Sequence, residues 1–407
     1  MRYLHAQGAE ILIAPHGSPF CEGKSEERRA IALQRVREKK LPLIILNRVG
    51  GQDELVFDGD SFGLHADESF AFELPCFEEN LAILTWKKKG ATWVCEDGLK
   101  APRLEKFESL YTACTLGLGD YVRGNGFESV VLGLSGGVDS ALVASMCVDA
   151  LGKKNVHAVM LPSRYTSKHS IEDAAACANN LGIRHEVIPI EPVFEAALET
   201  LQPIFTGKEA DVTEENLQSR LRGTLLMALS NKFGAMLIST GNKSEMAVGY
   251  ATLYGDMNGG FNPIKDLYKT QIYELARWRN RVGKVIPERI LTKAPTAELR
   301  ENQTDQDALP PYDILDAILE RLIERNQSAR QIVDEGFEPK TVRKIETLLA
   351  RAEYKRRQAP PGVKLSSHNF GRGRRYPITN GWRDPGLSVK ENSIVRLASS
   401  PCYAEDF

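Results

Sequence analysis

The chain has 407 residues, enough for two or three domains, and its 42% hydrophobic and 26% charged residues are the ordinary mix of a globular protein with a buried core. Lys plus Arg (52) nearly balances Asp plus Glu (54), which speaks against a general nucleic-acid coat. The absence of an 18-residue apolar run or of a basic start followed by an apolar stretch speaks against a membrane span or a signal peptide. Seven scattered cysteines with no CxxC spacing indicate neither a disulfide scaffold nor a zinc site, and read as reduced thiols of a cytoplasmic protein.

In chain order, Ala9 to Pro15, Pro42 to Val49 and Asn80 to Trp86 are short apolar runs that read as strands. Ser25 to Lys40 has the pattern of an amphipathic helix with Ser25 as its N-cap. Residues 50–70 alternate apolar and polar positions between turn residues and predict a β-meander. Residues 87–102 have no sustained period and read as a linker between a first domain (1–96) and a second (103–385), with a Pro-, Ser- and charge-rich tail at 386–407. In the second domain, Ser129 to Leu134, Asn155 to Leu161, His185 to Ile190 and Ala235 to Thr240 are short apolar strands separated by helical patterns. That alternation predicts an α/β fold with a doubly wound parallel sheet.

The chemistry concentrates where the first of these strands ends. Gly133, Leu134, Ser135, Gly136, Gly137, Val138, Asp139 and Ser140 form a tight turn leading into a helix. Backbone N–H groups of such a turn, the positive helix end and two hydroxyls make a phosphate cradle. Asp139 is out of place beside phosphate unless it holds Mg²⁺. The spacing is not that of a Walker A loop, which needs GK[ST]. The alternative is a plain glycine turn with a Ser or Asp helix cap.

The string SGGVDS resembles the loop of the ATP-pyrophosphatase superfamily, which cleaves ATP between its α- and β-phosphates. MLPSRYTS (Met160 to Ser167), ENLQSRLRG (Glu215 to Gly223), STGNKSE (Ser239 to Glu245), LYGDMNGGFNPIKDLYKT (Leu253 to Thr270), APTAEL (Ala294 to Leu299) and YKRRQAPPG (Tyr354 to Gly362) follow in order. Together they resemble glutamine-dependent NAD synthetase, over most of residues 103–377. GAEILIAPHGSPF and VGGQDELVFDGDSF resemble the second half of the nitrilase-type amidase domain fused to that synthetase.

The resemblance implies an adenine nucleotide α-hydrolase-like domain after a partial nitrilase-type α/β sandwich. The implied reaction is ATP-dependent amidation of nicotinic acid adenine dinucleotide through an acyl-adenylate, with release of AMP and pyrophosphate and attack by ammonia. It implies ATP contacts from residues 133–140, Thr240, Lys269 and Thr296, with Asp139, Lys269 and Thr296 closest to the chemistry. It implies Mg²⁺ on Asp139 and Glu245, dinucleotide contacts from Asn216, Arg220, Glu245, Asp256 and Lys355, and a glutamine-site remnant at Ser18 and Lys24.

Each residue has a plainer reading. Glu245 would be a solvated residue after a helix cap, Asn216 and Arg220 a solvated helix face, Lys355 a partner for a helix dipole, and residues 255–263 a flexible loop. Leu253 stands where ammonia-only synthetases carry Lys, which fits the glutamine-dependent branch. The amidase's catalytic Glu, Lys and Cys are expected before Met1. Cys95, in a CED tripeptide, and Cys21 read as structural or exposed thiols. A chain of this kind is expected to use ammonia, to form a homodimer or larger homo-oligomer, and to expose sheet edges and apolar surface in its first domain. Two other readings stay open: another member of the superfamily, such as GMP synthetase or a tRNA-thiolating enzyme, or a non-catalytic nucleotide-binding relic.

Overall fold

The computed structural model describes residues 2–384, in two compact units: 1–121 with 363–367, and 122–362 with the residues from His368 on. The expected tail at 386–407 lies outside the described residues.

The first unit contains α1 (Arg2–Ala6), β1 (Leu12–His16), α2 (Lys24–Lys39), β2 (Leu43–Asn47), β3 (Val49–Gln52), β4 (Leu55–Asp58), β5 (Phe62–Leu64), β6 (Phe70–Glu73), β7 (Trp86–Lys89), β8 (Thr92–Cys95) and most of α3 (Lys106–Gly124). Its main sheet has the order β1-β2-β5-β6, with β1 parallel to β2 and the other pairs antiparallel. Ala32 and Val36 of α2 pack over Leu12, Leu43, Phe62 and Leu64, all buried. The meander expected over 50–70 is two separate pairings, β3 with β4 and β5 with β6.

Three expectations for this region are corrected. Asn80 to Thr85 is not a strand, and Leu81 and Ile83 are more than 90% exposed. An apolar run becomes a strand only when a partner takes its backbone groups, and here pairing begins at Trp86. The stretch expected as a linker holds the β7–β8 hairpin, whose Cys95 is buried with Ala71 and Phe72. Ser25 lies inside α2 rather than capping it. The N-cap is Gly23, and the Ser25 hydroxyl donates to Asp60 Oδ2 (2.6 Å), joining a buried network of Arg28, Arg29, Asp58 and Asp60.

The second unit contains β9 (Val130–Gly133), α4 (Val138–Leu151), β10 (Val156–Met160), α5 (Lys168–Leu181), β11 (Arg184–Val187), α6 (Glu191–Phe205), α7 (Val212–Phe233) and β12 (Met236–Ile238). These are followed by α8 (Lys243–Val248), α9 (Lys269–Val282), α10 (Glu288–Thr292), α11 (Tyr312–Ile323), α12 (Ala329–Asp334), α13 (Pro339–Arg351) and α14 (Glu353–Arg356). The four strands form an all-parallel sheet in the order β11-β10-β9-β12. Strands alternate side chains between two faces. Val131, Val159 and Leu237 pack against Leu225, Leu226 and Leu229 of α7, while α4 covers β9 and β10. Strand order reverses between β9 and β12, and ligands of such sheets bind at that switch point, beyond the carboxyl ends of the strands. Among the described residues no helix is long and apolar enough to cross a membrane.

A second core joins α8, α11, α12 and α13 through Leu315, Leu319, Ile332, Val342 and Ile345. Beside it, Lys243 is fully buried and pairs with Asp266 (2.8 Å) and Glu324. Burial alone would depress its ammonium, but the two carboxylates reverse the sign and hold it above its ordinary value. Removing the cation strands both carboxylates, so Lys243→Met is expected to destabilise this unit by about 3–5 kcal/mol. A urea midpoint equal to that of the parent chain would show that the cluster contributes nothing.

Candidate active site

β9 delivers Gly133 to the edge of a cavity of about 320 Å³. The loop after it turns sharply because Gly136 adopts φ 79°, a left-handed conformation that favours glycine. Gly136 also lies against α5, where an added Cβ would sit 2.3 Å from the Ser170 carbonyl oxygen. Within the loop, the Ser140 hydroxyl accepts from the Ser135 amide (3.2 Å) and donates to the Gly137 carbonyl (3.1 Å). Gly137 caps α4 without a side chain, which leaves the first N–H groups of the helix to face whatever enters.

Three further segments meet this loop. The turn after β12 carries Thr240, and Asn242 then caps α8 in a reciprocal box with Glu245: its side chain accepts from the Glu245 amide (2.9 Å), and Glu245 Oε2 accepts from the Asn242 amide (3.2 Å). Asn242 Nδ2 also donates to Asp139 Oδ1 (3.0 Å). Lys269, the first residue of α9, pairs with Asp139 Oδ2 and lies 3.6 Å from Glu245 Oε1. Burial would lower the Lys269 ammonium, but Asp139 and Glu245 hold it well above its usual range. Burial pushes Glu245 upward, with Lys269 opposing and Asp139 adding to the rise. Glu245 is therefore not the solvated residue of its plain reading. Asp305 adds a third carboxylate, this one buried, accepting from the Tyr312 hydroxyl (2.8 Å).

Residues 293–299 form another wall. Thr296 Oγ1 donates to the Gln303 carbonyl (2.6 Å), and Glu298 accepts from the hydroxyls of Ser167 and Ser170 (2.8 Å each) and from Lys293 (2.7 Å). Burial would raise the Glu298 carboxyl, but these donors keep it below the usual range.

The structure thus places residues 133–140, Thr240, Glu245, Asp256, Lys269 and Thr296 around one cavity. Asn216, Arg220 and Lys355 stand behind its wall and hold residues 249–253. Asn216 accepts from the Thr252 hydroxyl (2.8 Å), Arg220 donates to the Leu253 carbonyl (3.1 Å), and Lys355 donates to the carbonyls of Gly249 and Ala251. Asn216 is buried, so it does not belong to a solvated face. Lys355 reaches the end of α8 rather than serving the helix that carries it. Leu253 is buried in the helical core. Residues 252–258 are tied down by Asp256, which accepts from the Thr252 amide (2.7 Å), and by Asn258, which donates to the Tyr254 carbonyl. The Ser18 backbone amide donates to Asn47 Oδ1 and its carbonyl accepts from Asn47 Nδ2, and Lys24 pairs with Glu27, both within the first unit. Sequence reasoning missed Arg222, Tyr250, Tyr273, Glu298 and Asp305 as cavity residues. Arg222 and Glu298 lie inside strings already singled out, but only the fold shows which residues of those strings face inward.

A glycine loop at a switch point, with a lysine between two half-buried carboxylates, is the arrangement expected of a nucleotide-activating enzyme of the pyrophosphatase-loop type. Residues 110–359 match the NAD synthase family, to which this chain belongs. More narrowly, it is 54% identical over 392 residues to the glutamine-dependent NAD(+) synthetase of Rhodobacter capsulatus, spanning 94% of this chain and 71% of that protein. Among solved structures it resembles the glutamine-dependent NAD+ synthetase of Acinetobacter baumannii in complex with ADP (42% identity, TM-score 0.69, 94% of this chain and 70% of that one). The Cytophaga hutchinsonii enzyme shares the fold at 22% identity and TM-score 0.78, over 93% of this chain and 70% of that one. The chain is a carbon–nitrogen ligase of the NAD synthetases, with ATP as a substrate.

Gly136→Ala is expected to displace the loop by the clash with Ser170 and to lower NAD formation about 100-fold, the scale of an ångström-sized misplacement. Steady-state rates at saturating substrates test this, with circular dichroism to confirm the fold.

Proposed function

We propose that the cavity joins ATP to nicotinic acid adenine dinucleotide. A nicotinate carboxylate oxygen attacks the α-phosphorus and pyrophosphate leaves. The nitrogen of ammonia then attacks the acyl carbon, AMP departs, and a proton is lost to solvent. The observation that carries this reading is the convergence of Asp139, Lys269 and Glu245 under the SGGVDS loop. Two anionic substrates can meet there because backbone N–H groups and Lys269 offset their charge. Thr240 and Thr296 are assigned to the ATP phosphates, and Glu245 and Asp256 to the dinucleotide. Asn216, Arg220 and Lys355 support the dinucleotide by fixing residues 249–253.

Mg²⁺ fits the donor chemistry. Among the described residues no three His, Cys, Asp or Glu side chains converge as a metal site. Magnesium, however, is commonly held by one or two carboxylates together with substrate phosphates, and Asp139 and Glu245 supply two. The ion would neutralise pyrophosphate as it leaves. Lys269 neutralises the same carboxylates in this structure, so its ammonium is available to phosphate once they are engaged elsewhere.

Residues 293–299 and Asp305 belong to the same unit as the loop and line the cavity with it, and Asp139, Glu245 and Lys269 hold one another in place. That argues against a relic with decayed chemistry. We place the enzyme in the cytoplasm, on the family resemblance and on scattered cysteines whose spacing indicates no disulfide scaffold. The family resemblance supports a homodimer or larger assembly.

Asp139→Asn is expected to keep the fold and lose about 100- to 1,000-fold in turnover, because a neutral amide cannot balance cationic charge opposite the phosphates. Near-parental rates at saturating Mg²⁺ would remove Asp139 from the mechanism.

The nitrogen source follows from the thiols this chain carries. Cys76 is pushed up to about 12 by burial and by Asp60, and Cys95 is buried. Neither is a ready thiolate nucleophile. Residues 1–407 are expected to form NAD from ammonium salts, faster above pH 8 where more of the ammonia is unprotonated, and not from ammonia-free glutamine. Glutamine-supported NAD formation abolished by Cys21→Ala or Cys95→Ala would assign a nucleophile to one of them.

A further inference from the structure

Among the described residues, Arg222 is the one arginine lining the active-site cavity. Its Nε donates to the Leu161 carbonyl just after β10 (2.9 Å), its only hydrogen bond among the described residues. It makes no ion pair among the described residues. Its terminal nitrogens are not among the sealed, unsatisfied buried atoms, so they face the open cavity. Arg220 lies two residues away on α7, about 200° around the helix, and turns to the Leu253 carbonyl instead.

The nearest carboxylates are already engaged. Glu298 is taken by Ser167, Ser170 and Lys293, and Asp256 by the Thr252 amide and Ser219. Burial pushes the Arg222 guanidinium down to about 10, with Glu298 and Asp256 opposing. A cation in a partly closed cavity that pairs directly with no carboxylate is costly unless a ligand supplies a partner. The hydrogen bond from Nε fixes the plane of the guanidinium and leaves the terminal nitrogens as a fork matched to two oxygens of a phosphate.

We propose that Arg222 anchors a phosphate group of a bound nucleotide and so sets nucleotide affinity, a role that rests on the assignment of this cavity to ATP and the dinucleotide. The phosphate belongs either to ATP or to the dinucleotide, and the experiment separates the two.

Arg222→Met keeps the apolar stem and removes the fork, and Arg222→Lys keeps the charge without it. Binding of ATP, of nicotinic acid adenine dinucleotide and of adenosine is measured by calorimetry on the parent chain and both variants, with kcat and each KM. The Met variant is expected to lose about 10- to 100-fold in affinity and KM for a phosphate-bearing nucleotide, the scale of a charge-assisted hydrogen bond. Its adenosine affinity is expected to stay within a few-fold of the parent, and Lys is expected to restore part of the loss. Loss confined to ATP assigns the phosphate to ATP, and loss confined to the dinucleotide assigns it there. Unchanged nucleotide affinities, or an equal loss for adenosine, would overturn the proposal. If the Met variant does not fold, the Lys variant carries the same comparison. A parent chain that binds neither nucleotide would overturn the assignment of the cavity itself, a result distinct from an unchanged variant.

Discussion

The site depends on the cluster of Lys269 with Asp139 and Glu245. Its three members come from three separate starts: the first turn of α4, the first turn of α8 and the first residue of α9. Each is a helix N-terminus, where a carboxylate is favoured and a lysine is not. Lys269 is tolerated at the start of α9 because Asp316 of α11 takes over that end. It accepts from the Thr270 amide and hydroxyl (2.9 Å each) and from the Ser244 hydroxyl. Ser244 in turn accepts from the Lys269 amide (2.9 Å). The helical core around α11 therefore fixes where Lys269 stands.

Behind the cavity a second layer holds its shape. Asn216, Arg220 and Lys355 bind the carbonyls and hydroxyl of residues 249–253, and Gly223 lets α7 approach that segment. An added Cβ at Gly223 would sit 2.6 Å from Asn258 Nδ2 and 2.8 Å from the Gly255 carbonyl. The backbone just before the stretch that composition marks as a flexible loop (255–263) is thus held by side chains from α7 and α14. Charged residues that look like ligand contacts in sequence can act one shell further out, through the backbone they orient.

Much of this was legible in the sequence. The parallel strands announce themselves by short β-branched runs between helical periods, and SGGVDS by glycine and hydroxyl placement after a strand. Asp139, Glu245 and Lys269 were marked as partners on the strength of resemblance. Their mutual pairing was not visible, because Asp139 and Lys269, 130 positions apart in sequence, meet only after the sheet reverses its order. Local pattern failed where tertiary context decides. Ser25 looks like a cap until Asp60 claims its hydroxyl, and Asn80 to Thr85 looks like a strand until no partner is found. Arg222 carries no signal of its own, since nothing in ENLQSRLRG says which of two arginines turns inward.

The two arginines also show how one helix serves two ends of a reaction site. A step of two residues carries Arg220 to the backbone at Leu253 and Arg222 to the backbone at Leu161, on different walls. Each spends Nε on a carbonyl. Such an anchor costs little, because Nε would otherwise need a partner inside the protein. It also turns a flexible side chain into an oriented one before any substrate arrives. Preorganised cation geometry is worth most where two polyanions must be brought together, since the repulsion between them is greatest before the first bond forms. The loop at the end of β9 meets that demand with backbone N–H groups, and α9 meets it with Lys269. With Arg222 on α7, positive potential reaches the cavity from three directions. That distribution lets charge on the phosphates be shared rather than concentrated on one contact, as an acyl-adenylate forms and pyrophosphate departs.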